Sequence, residues 1–396
     1  MLNNKQIELV KSTIPLLESS GPAITEHFYQ RMFKHNPELQ HIFNMSNQKT
    51  GRQAFALFSA IAAYAKHLDD LENLVTMVER IAHKHTSMNI QPEHYDIVGH
   101  HLIVTLRELA PEQFTEEVEG AWTAAYQVLA GVFIEKEAHF YQKRSNTLGG
   151  WKDGRKFQLV KKCIESELVK SLIFEPTDGG PVIGYQAGQY IGVEVDLDKN
   201  DYRETRQYSL SDKANGKSYR ISVKREIEET PGIVSNYLHD GLRLGDEVTL
   251  YAPAGDFFLN QKNAPVVLIS AGVGLTPMQA MLETLVVDKN FHREIHFLHA
   301  CENVAQHSFR KRLACLTKSK QVNAFTWYKS ETVKKKGIYH GYMDIASVET
   351  QLPLTLADFY LCGPVSFMQY AKQQLVTLGV TEDKIHYEVF GPHESF

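Results

Sequence analysis

Near residue 150 the spacing of apolar residues changes from three and four to two, and one type of secondary structure cannot serve both periods. Upstream, Ala54, Leu57, Phe58, Ile61 and Ala62, and then Leu74, Val78, Ile81 and Ala82, recur as one face of a helix. Downstream, Tyr190-Ile191-Gly192-Val193-Glu194-Val195 and Tyr219-Arg220-Ile221-Ser222-Val223 alternate as strands do. Pro37 and Pro92 stand where helices begin, and Asn36 before Pro37 is expected to be an N-cap. The pair Gly149-Gly150 is expected to break the last helix. These signals predict an all-helical domain over residues 1–147.

After the boundary, short strands with turn residues between them predict a small barrel, with domain limits of 152–261. Strand and helix signals then alternate. Val266 to Ser270 precedes a helix over 277–287, strands follow at 295–300 and 324–328, and Phe359 to Cys362 leads into a helix over 364–378. Such alternation predicts βαβ units on a parallel sheet, filling residues 262–396. A length of 396 residues suits two or three domains.

Composition narrows the function. The chain is 43% hydrophobic and 22% charged, as soluble globular proteins are, and no segment approaches the roughly 20 apolar residues of a membrane span. A net charge of -5 argues against a nucleic-acid surface. The run Lys334-Lys335-Lys336 reads as a solvated loop. Cys163, Cys301, Cys315 and Cys362 form no metal-binding or redox spacing, so free thiols are expected. The first 20 residues lack the pattern of a signal peptide, and a cytoplasmic monomer is expected.

The chemistry concentrates in four short segments. In Ile269-Ser270-Ala271-Gly272-Val273-Gly274-Leu275-Thr276-Pro277-Met278, a strand feeds a glycine turn and then a helix, which aims backbone N–H groups at one spot and suits a pyrophosphate. Upstream lies Arg206-Gln207-Tyr208-Ser209. Near the end come Cys362-Gly363-Pro364 and Glu388-Val389-Phe390-Gly391-Pro392. A lone glycine turn is weak evidence. In this order and spacing the four resemble the ferredoxin-reductase type of flavin and nicotinamide module. Taken singly, Arg206-x-Tyr208-Ser209 is an ordinary strand and Phe390 a core residue.

The helical half holds many of the chain's 18 histidines, including His83, His85, His94, His100 and His101. His85 follows Ile81 by four residues and Val78 by seven, so it shares their apolar face, as a haem ligand must. Its stretch Lys84-His85-Thr86-Ser87, together with Ile14-Pro15-Leu16-Leu17, His27-Phe28-Tyr29, Asn36-Pro37-Glu38-Leu39, Ile42 to Gln48 and Gln186-Ala187-Gly188-Gln189-Tyr190, resembles the flavohaemoprotein (flavohaemoglobin) family from end to end.

The resemblance implies a multidomain fold: an all-α globin domain, then a ferredoxin-reductase-like module made of an antiparallel β-barrel FAD domain and an α/β parallel-sheet NAD(P) domain. It implies haem b, FAD and NADH or NADPH as cofactors, and the sequence does not choose between the two nucleotides. It makes His85 the iron ligand and Tyr95 and Glu137 its hydrogen-bond network, with Glu137 rather than Glu135 taken from the pattern Phe133-Ile134-x-x-Glu137-Ala138. Tyr29, Gln53, Leu57 and Phe43 fall on the distal side, and Lys84 at a propionate or at the flavin domain. Tyr190, Arg206, Gln207, Tyr208 and Ser209 would contact FAD. Gly272, Val273, Gly274, Leu275, Thr276 and Pro277 would meet the nicotinamide dinucleotide, and the segment from Glu388 to Pro392 would cover the flavin ring.

The implied activity is that of a nitric oxide dioxygenase: NAD(P)H reduces FAD, FAD reduces haem iron, and dioxygen held there converts nitric oxide to nitrate. The partners would be the small molecules O2, nitric oxide and NAD(P)H. Three alternatives stay open: an oxygen store or sensor whose reductase keeps iron ferrous, a haem-free reductase with a helical docking domain, and a general flavin, ferric or peroxide reductase.

Overall fold

The computed structural model describes residues 2–43, 52–197, 202–227, 231–287 and 293–391, the side chains of residues 52–56 and 58 aside. Its helical part comprises α1 (Asn4–Ser12), α2 (Ile14–His35), α3 (Arg52–Lys66), α4 (Val75–Thr86), α5 (Pro92–Leu109) and α6 (Glu116–Ser145). Their apolar faces meet in one cluster that includes Leu17, Phe28, Met32, Tyr64, Leu102 and Trp122. Two polar side chains inside it find partners: Trp122 Nε1 donates to Thr13 Oγ1 at 3.1 Å and Tyr64 Oη to the Ala125 carbonyl at 2.7 Å.

Two local expectations fail here, each for a tertiary reason. Asn36 precedes the short 3-10 helix Pro37–His41 but makes no side-chain cap. Its amide oxygen instead lies 2.9 Å from Nε2 of the buried His101, while Arg31 Nη1 donates to His101 Nδ1 at 2.8 Å. A neutral imidazole tied at both nitrogens outcompetes a local cap. The last helix stops at Ser145, before the glycine pair. Gly149 turns the chain at φ +75, and Gly150 then passes so near the helix end that a Cβ would lie 1.8 Å from the Arg144 carbonyl oxygen. The glycines permit the return of the chain rather than the end of the helix.

Strands β1 (Arg155–Ile164), β2 (Val169–Pro176), β3 (Tyr190–Val195), β4 (Glu204–Ser209), β5 (Tyr219–Lys224) and β6 (Glu247–Ala254) form one sheet in the order β4-β3-β6-β1-β2-β5. Pairs β1–β2, β1–β6 and β2–β5 are antiparallel, with a bulge between Leu159 and Lys161 that bends β1. The two outer strands meet: Leu210, just past β4, bridges Ile221 of β5, and Ser211 N–H donates to the Arg220 carbonyl at 2.9 Å. The sheet thereby closes on itself as a barrel.

The second sheet is parallel throughout, ordered β10-β9-β8-β7-β11-β12, with β7 at Val266–Ala271, β8 at Ile295–Cys301, β9 at Asn323–Tyr328, β10 at Ile338–His340, β11 at Asp358–Cys362 and β12 at Ile385–Glu388. Helices α7 (Leu275–Val287) and α8 (Arg310–Lys318) cross on one face and α9 (Val365–Thr377) on the other. The chain builds outward from β7 in both directions, so the crevice between β7 and β11 is the topological switch point where such sheets bind ligands.

By compactness, Met1–Gly154 with Gly192–Arg206 form one unit and Arg155–Ile191 with Gln207–Phe396 the other. Among the described residues no helix is long and apolar enough to cross a membrane. The lysine run at 334–336 is exposed.

Candidate functional site

On α4 the two nearby histidines part company. His83 lays its ring on Phe140, with centroids 4.2 Å apart. His85 faces Phe133 and places Nδ1 2.8 Å from Tyr95 Oη and 2.8 Å from Glu137 Oε1. Tyr95 Oη donates to the same carboxylate oxygen at 2.5 Å. That bond uses the only phenolic proton, so the proton on His85 must sit on Nδ1 and point at Tyr95 and Glu137. Nε2 is then a lone pair, with no partner among the described residues. An imidazole with one nitrogen anchored to a carboxylate and the other free is built to ligate a metal.

The anchor is dry and rigid. Glu137 is 3% exposed, whereas Glu135, two residues earlier on the same helix, is exposed. Burial, then the neighbouring carboxylate, pushes the Tyr95 phenol far above its ordinary pKa, which keeps it a donor. Tyr126 Oη donates to the Tyr95 carbonyl at 2.7 Å, and Tyr141 Oη to the Ile90 carbonyl at 2.8 Å, tying α6 to the start of α5. Gly99 makes the first tie possible: a Cβ there would lie 2.3 Å from the Tyr126 ring. Neither tyrosine carries a local sequence signal.

Tyr29 lies on α2, 6% exposed, in an aromatic set with Phe33 and Phe43, both rings 5.8 Å from its own. Phe43 and Leu57 pack on the helical core while staying partly open. Lys84 is half-buried beside His85 in sequence. Gln53 belongs to α3, but its side chain lies outside the described residues. A half-open apolar set in the same helical core as Phe133, which packs against a histidine whose Nε2 has no partner among the described residues, suits a haem.

In the barrel, β4 departs from strand alternation. Arg206, Gln207 and Tyr208 are all half-exposed while Glu204, Thr205 and Ser209 are buried, so the strand presents a continuous ledge. Arg206 Nη1 is 2.8 Å from Glu204 Oε2, a carboxylate 1% exposed that sequence reasoning did not single out. Tyr190 opens β3, and its ring occupies the space a side chain at Gly255 would need: a Cβ there would be 2.8 Å from Tyr190 Cε1, and φ is +111. An aromatic ring over glycine beside a cationic ledge fits a flavin nucleotide.

The glycine turn sits at the carboxyl end of β7, and Cys362-Gly363-Pro364 at that of β11 beside it. The helix begins at Leu275, two residues before the sequence expectation, because the 3-10 turn Gly272–Gly274 runs straight into it. Gly272 is exposed with φ +53, and Val273 is half-exposed, so these two offer their backbone to a ligand. Leu275, Thr276 and Pro277 are buried and support the turn, Thr276 Oγ1 donating to the Val273 carbonyl at 3.0 Å. A Cβ on Gly274 would lie 2.3 Å from the Cys362 carbonyl oxygen. Backbone meets backbone there, and this geometry fits a pyrophosphate.

In register, Glu388 of β12 faces Cys362 of β11. Val389 is buried, Phe390 is 44% exposed, and Gly391 turns at φ +125, while Pro392 lies outside the described residues. An aromatic so exposed, next to the β11 turn, is no core residue. Cys362 is a buried thiol whose pKa burial pushes well up.

Fold and site together define a globin joined to an oxidoreductase with flavin and nicotinamide domains. Family models agree: a globin matches residues 26–133, an oxidoreductase FAD-binding domain residues 156–259, and an oxidoreductase NAD-binding domain residues 268–373. A flavohemoprotein of Vibrio cholerae is 58% identical over 395 residues, covering 99% of both chains. The crystal structure of a flavohemoglobin from Malassezia yamatoensis, with bound FAD and heme, aligns with a TM-score of 0.86 at 29% identity, over 98% of this chain and all of that one. The FAD/NAD-binding domain of a nitric oxide dioxygenase from Vibrio cholerae aligns at 50% identity and TM-score 0.57, over 61% of this chain and all of that one. The chain belongs to the flavohaemoprotein family, and haem, FAD and a nicotinamide nucleotide are its cofactors.

Proposed function

We propose that the chain is a nitric oxide dioxygenase. Two nitric oxide and two dioxygen molecules, with one NAD(P)H, would leave as two nitrates, NAD(P)+ and one proton. When bound, FAD converts a two-electron hydride into single electrons, and haem iron takes those singly and holds diatomic ligands.

The observation that carries the reading is the His85, Tyr95 and Glu137 triad. His85 Nε2 would ligate iron, and the carboxylate on Nδ1–H gives the imidazole anionic character, which favours activation of dioxygen over its storage. Tyr29 would donate its hydroxyl proton to dioxygen on the distal side, with Phe43, Leu57 and Gln53 shaping that side. Arg206, Gln207, Tyr208, Ser209 and Tyr190 would hold FAD. Gly272 and Val273 would hold the pyrophosphate through the backbone, Gly274 to Pro277 would support that turn, and the Glu388 to Pro392 segment would cover the flavin. Lys84 would meet a haem propionate. The working domain limits are 1–147, 152–261 and 262–396. The nitric oxide dioxygenase of Vibrio cholerae, alike over the reductase half, supports the reading. Four free cysteines suit a reducing cytoplasm.

The test is anaerobic addition of NADH to the purified protein, with flavin bleaching followed by the ferrous shift of the haem, and then nitrate yield per nitric oxide in air. A yield near one supports the proposal, and nitric oxide persisting beside a reduced haem overturns it. Tyr29→Phe should slow nitrate formation roughly tenfold or more while flavin bleaching keeps its rate.

A further inference from the structure

The division into two compact units does not follow the change from helices to strands. Gly192–Arg206, which holds most of β3 and the first half of β4, belongs with the helical part, and the line crosses β4 between Arg206 and Gln207. The ledge proposed to hold FAD is itself divided there.

A hydrogen bond accompanies this arrangement. The backbone N–H of Arg203, the residue before β4, donates to His41 Nδ1 at 2.9 Å. A backbone N–H can only donate, so Nδ1 holds the lone pair and the ring hydrogen sits on Nε2. The two residues are 162 positions apart, and neither falls in a cofactor motif.

Both ends of this bond are held. His41 closes the 3-10 helix Pro37–His41, in which Leu39 is buried in the helical core and its carbonyl accepts from the N–H groups of Ile42 and Phe43, each at 3.0 Å. Two residues past His41, the Phe43 ring meets Tyr29 and, 5.6 Å away, Phe33. At the other end Arg203 Nη1 lies 3.0 Å from Oε1 of the buried Glu194, on the neighbouring strand β3. Three residues further on, Arg206 rests on the buried Glu204. A fixed donor therefore meets a fixed acceptor, and the segment that carries Phe43 is tied to the strand that carries the flavin ledge.

Such a tie matters because contacts between domains of one chain are modest and relative motion is their default. One net hydrogen bond shifts a balance between docked and undocked arrangements by roughly two- to tenfold.

We propose that His41 is a positioning residue for electron passage from flavin to haem: by accepting from the Arg203 N–H it holds the Phe43 segment, which would line the haem, on the flavin strand. Each crossing takes one electron from reduced flavin to ferric iron. Two crossings, with one proton released to water, return the flavin to its oxidised form. The inference deepens the proposed function and rests on its flavin-to-haem step.

The test uses the full-length holoprotein and two readouts. Hydrogen exchange of the Arg203 amide reads the tie in the absence of nucleotide and nitric oxide, and anaerobic stopped-flow with NADH separates flavin bleaching from the ferrous shift of the haem. His41→Phe should quicken exchange at Arg203 and slow the ferrous shift roughly two- to tenfold, while the Soret band and the rate of flavin bleaching stay as in the wild type. His41→Asn, whose Oδ1 can stand where Nδ1 does, should restore both, which a role confined to packing of the ring would not allow. Unchanged exchange at Arg203 in His41→Phe, an unchanged ferrous shift in that variant, or a His41→Asn protein that recovers protection but not the shift would each overturn the inference alone. A wild-type flavin that bleaches with no ferrous shift to follow would remove the flavin-to-haem step, and this inference with it, even with Arg203 protected.

Discussion

Among the described residues, two histidine–tyrosine hydrogen bonds have the same length. In the helical part His85 Nδ1 lies 2.8 Å from Tyr95 Oη, and in the parallel sheet His307 Nδ1 lies 2.8 Å from Tyr328 Oη. Among the described residues only the first is hydrogen-bonded to a carboxylate, Glu137. Glu137 accepts the hydrogen bond from the Tyr95 hydroxyl, which leaves the imidazole proton on Nδ1 and a lone pair on Nε2. Without such an acid, Tyr328 is free to donate to His307, whose Nε2 then carries the hydrogen. His299, its ring 4.9 Å away and its Nδ1 2.9 Å from Ser270 Oγ, adds no charge either, since burial drives its pKa well down. One buried carboxylate thus separates the proposed metal ligand from a structural histidine.

The comparison breaks most completely with His85→Ala. That variant should lose the Soret band while keeping flavin absorbance, whereas His307→Ala should keep both, and a Soret band surviving in His85→Ala would end the distinction. Next in size, Glu137→Gln turns the first pair into something like the second. Haem should stay, its midpoint potential should rise, and nitrate formation should fall roughly ten- to hundredfold; an unchanged potential in redox titration would mean that the carboxylate does not reach the metal.

Acid should then expose the second pair. His307 has a folded pKa of about 4 against an unfolded value near 6.5, so the unfolded chain binds the extra proton first. The stability contributed is complete above about pH 6.5 and is lost as pH falls toward 4, up to an amount on the order of 3 kcal/mol. Hydrogen exchange over residues 304–328 of the full chain should quicken across that window, and His307→Gln should flatten the response. The smallest effect belongs to Tyr328→Phe, which deletes one neutral hydrogen bond worth about 1 kcal/mol and should change exchange there without touching the haem spectrum.

Where a single segment carries the physics, the sequence is readable. Strand β3 runs from Tyr190 to Val195 as its pattern predicts, and the glycine turn falls where a strand must hand over to a helix. The face shared by Val78, Ile81 and His85 suffices to prefer His85 to His83. Features assembled from distant segments stay hidden. Asn36 reads as a cap until His101, 65 residues away, claims its side chain. The supports Tyr126 and Tyr141 depend on how α6 lies against α5, and Glu204 has no signal beyond an acid in a strand. Glu331 meets its backbone partner Val304, 27 residues earlier, only once β8 and β9 lie side by side. Choosing Glu137 over Glu135 is intermediate: helical spacing offers both, and the family pattern or the burial of one decides.

Gly274 sets one more limit on this molecule. Not even a methyl group fits between it and the Cys362 carbonyl, so the loops after β7 and β11 are in backbone contact. Were a phosphate held on one, as proposed, and the reacting ring beside the other, their separation would be set by neighbouring strands about 4.8 Å apart, not by loop composition. Substitutions elsewhere in those loops would then alter how tightly a nucleotide is held, while its reach would be inherited from the sheet.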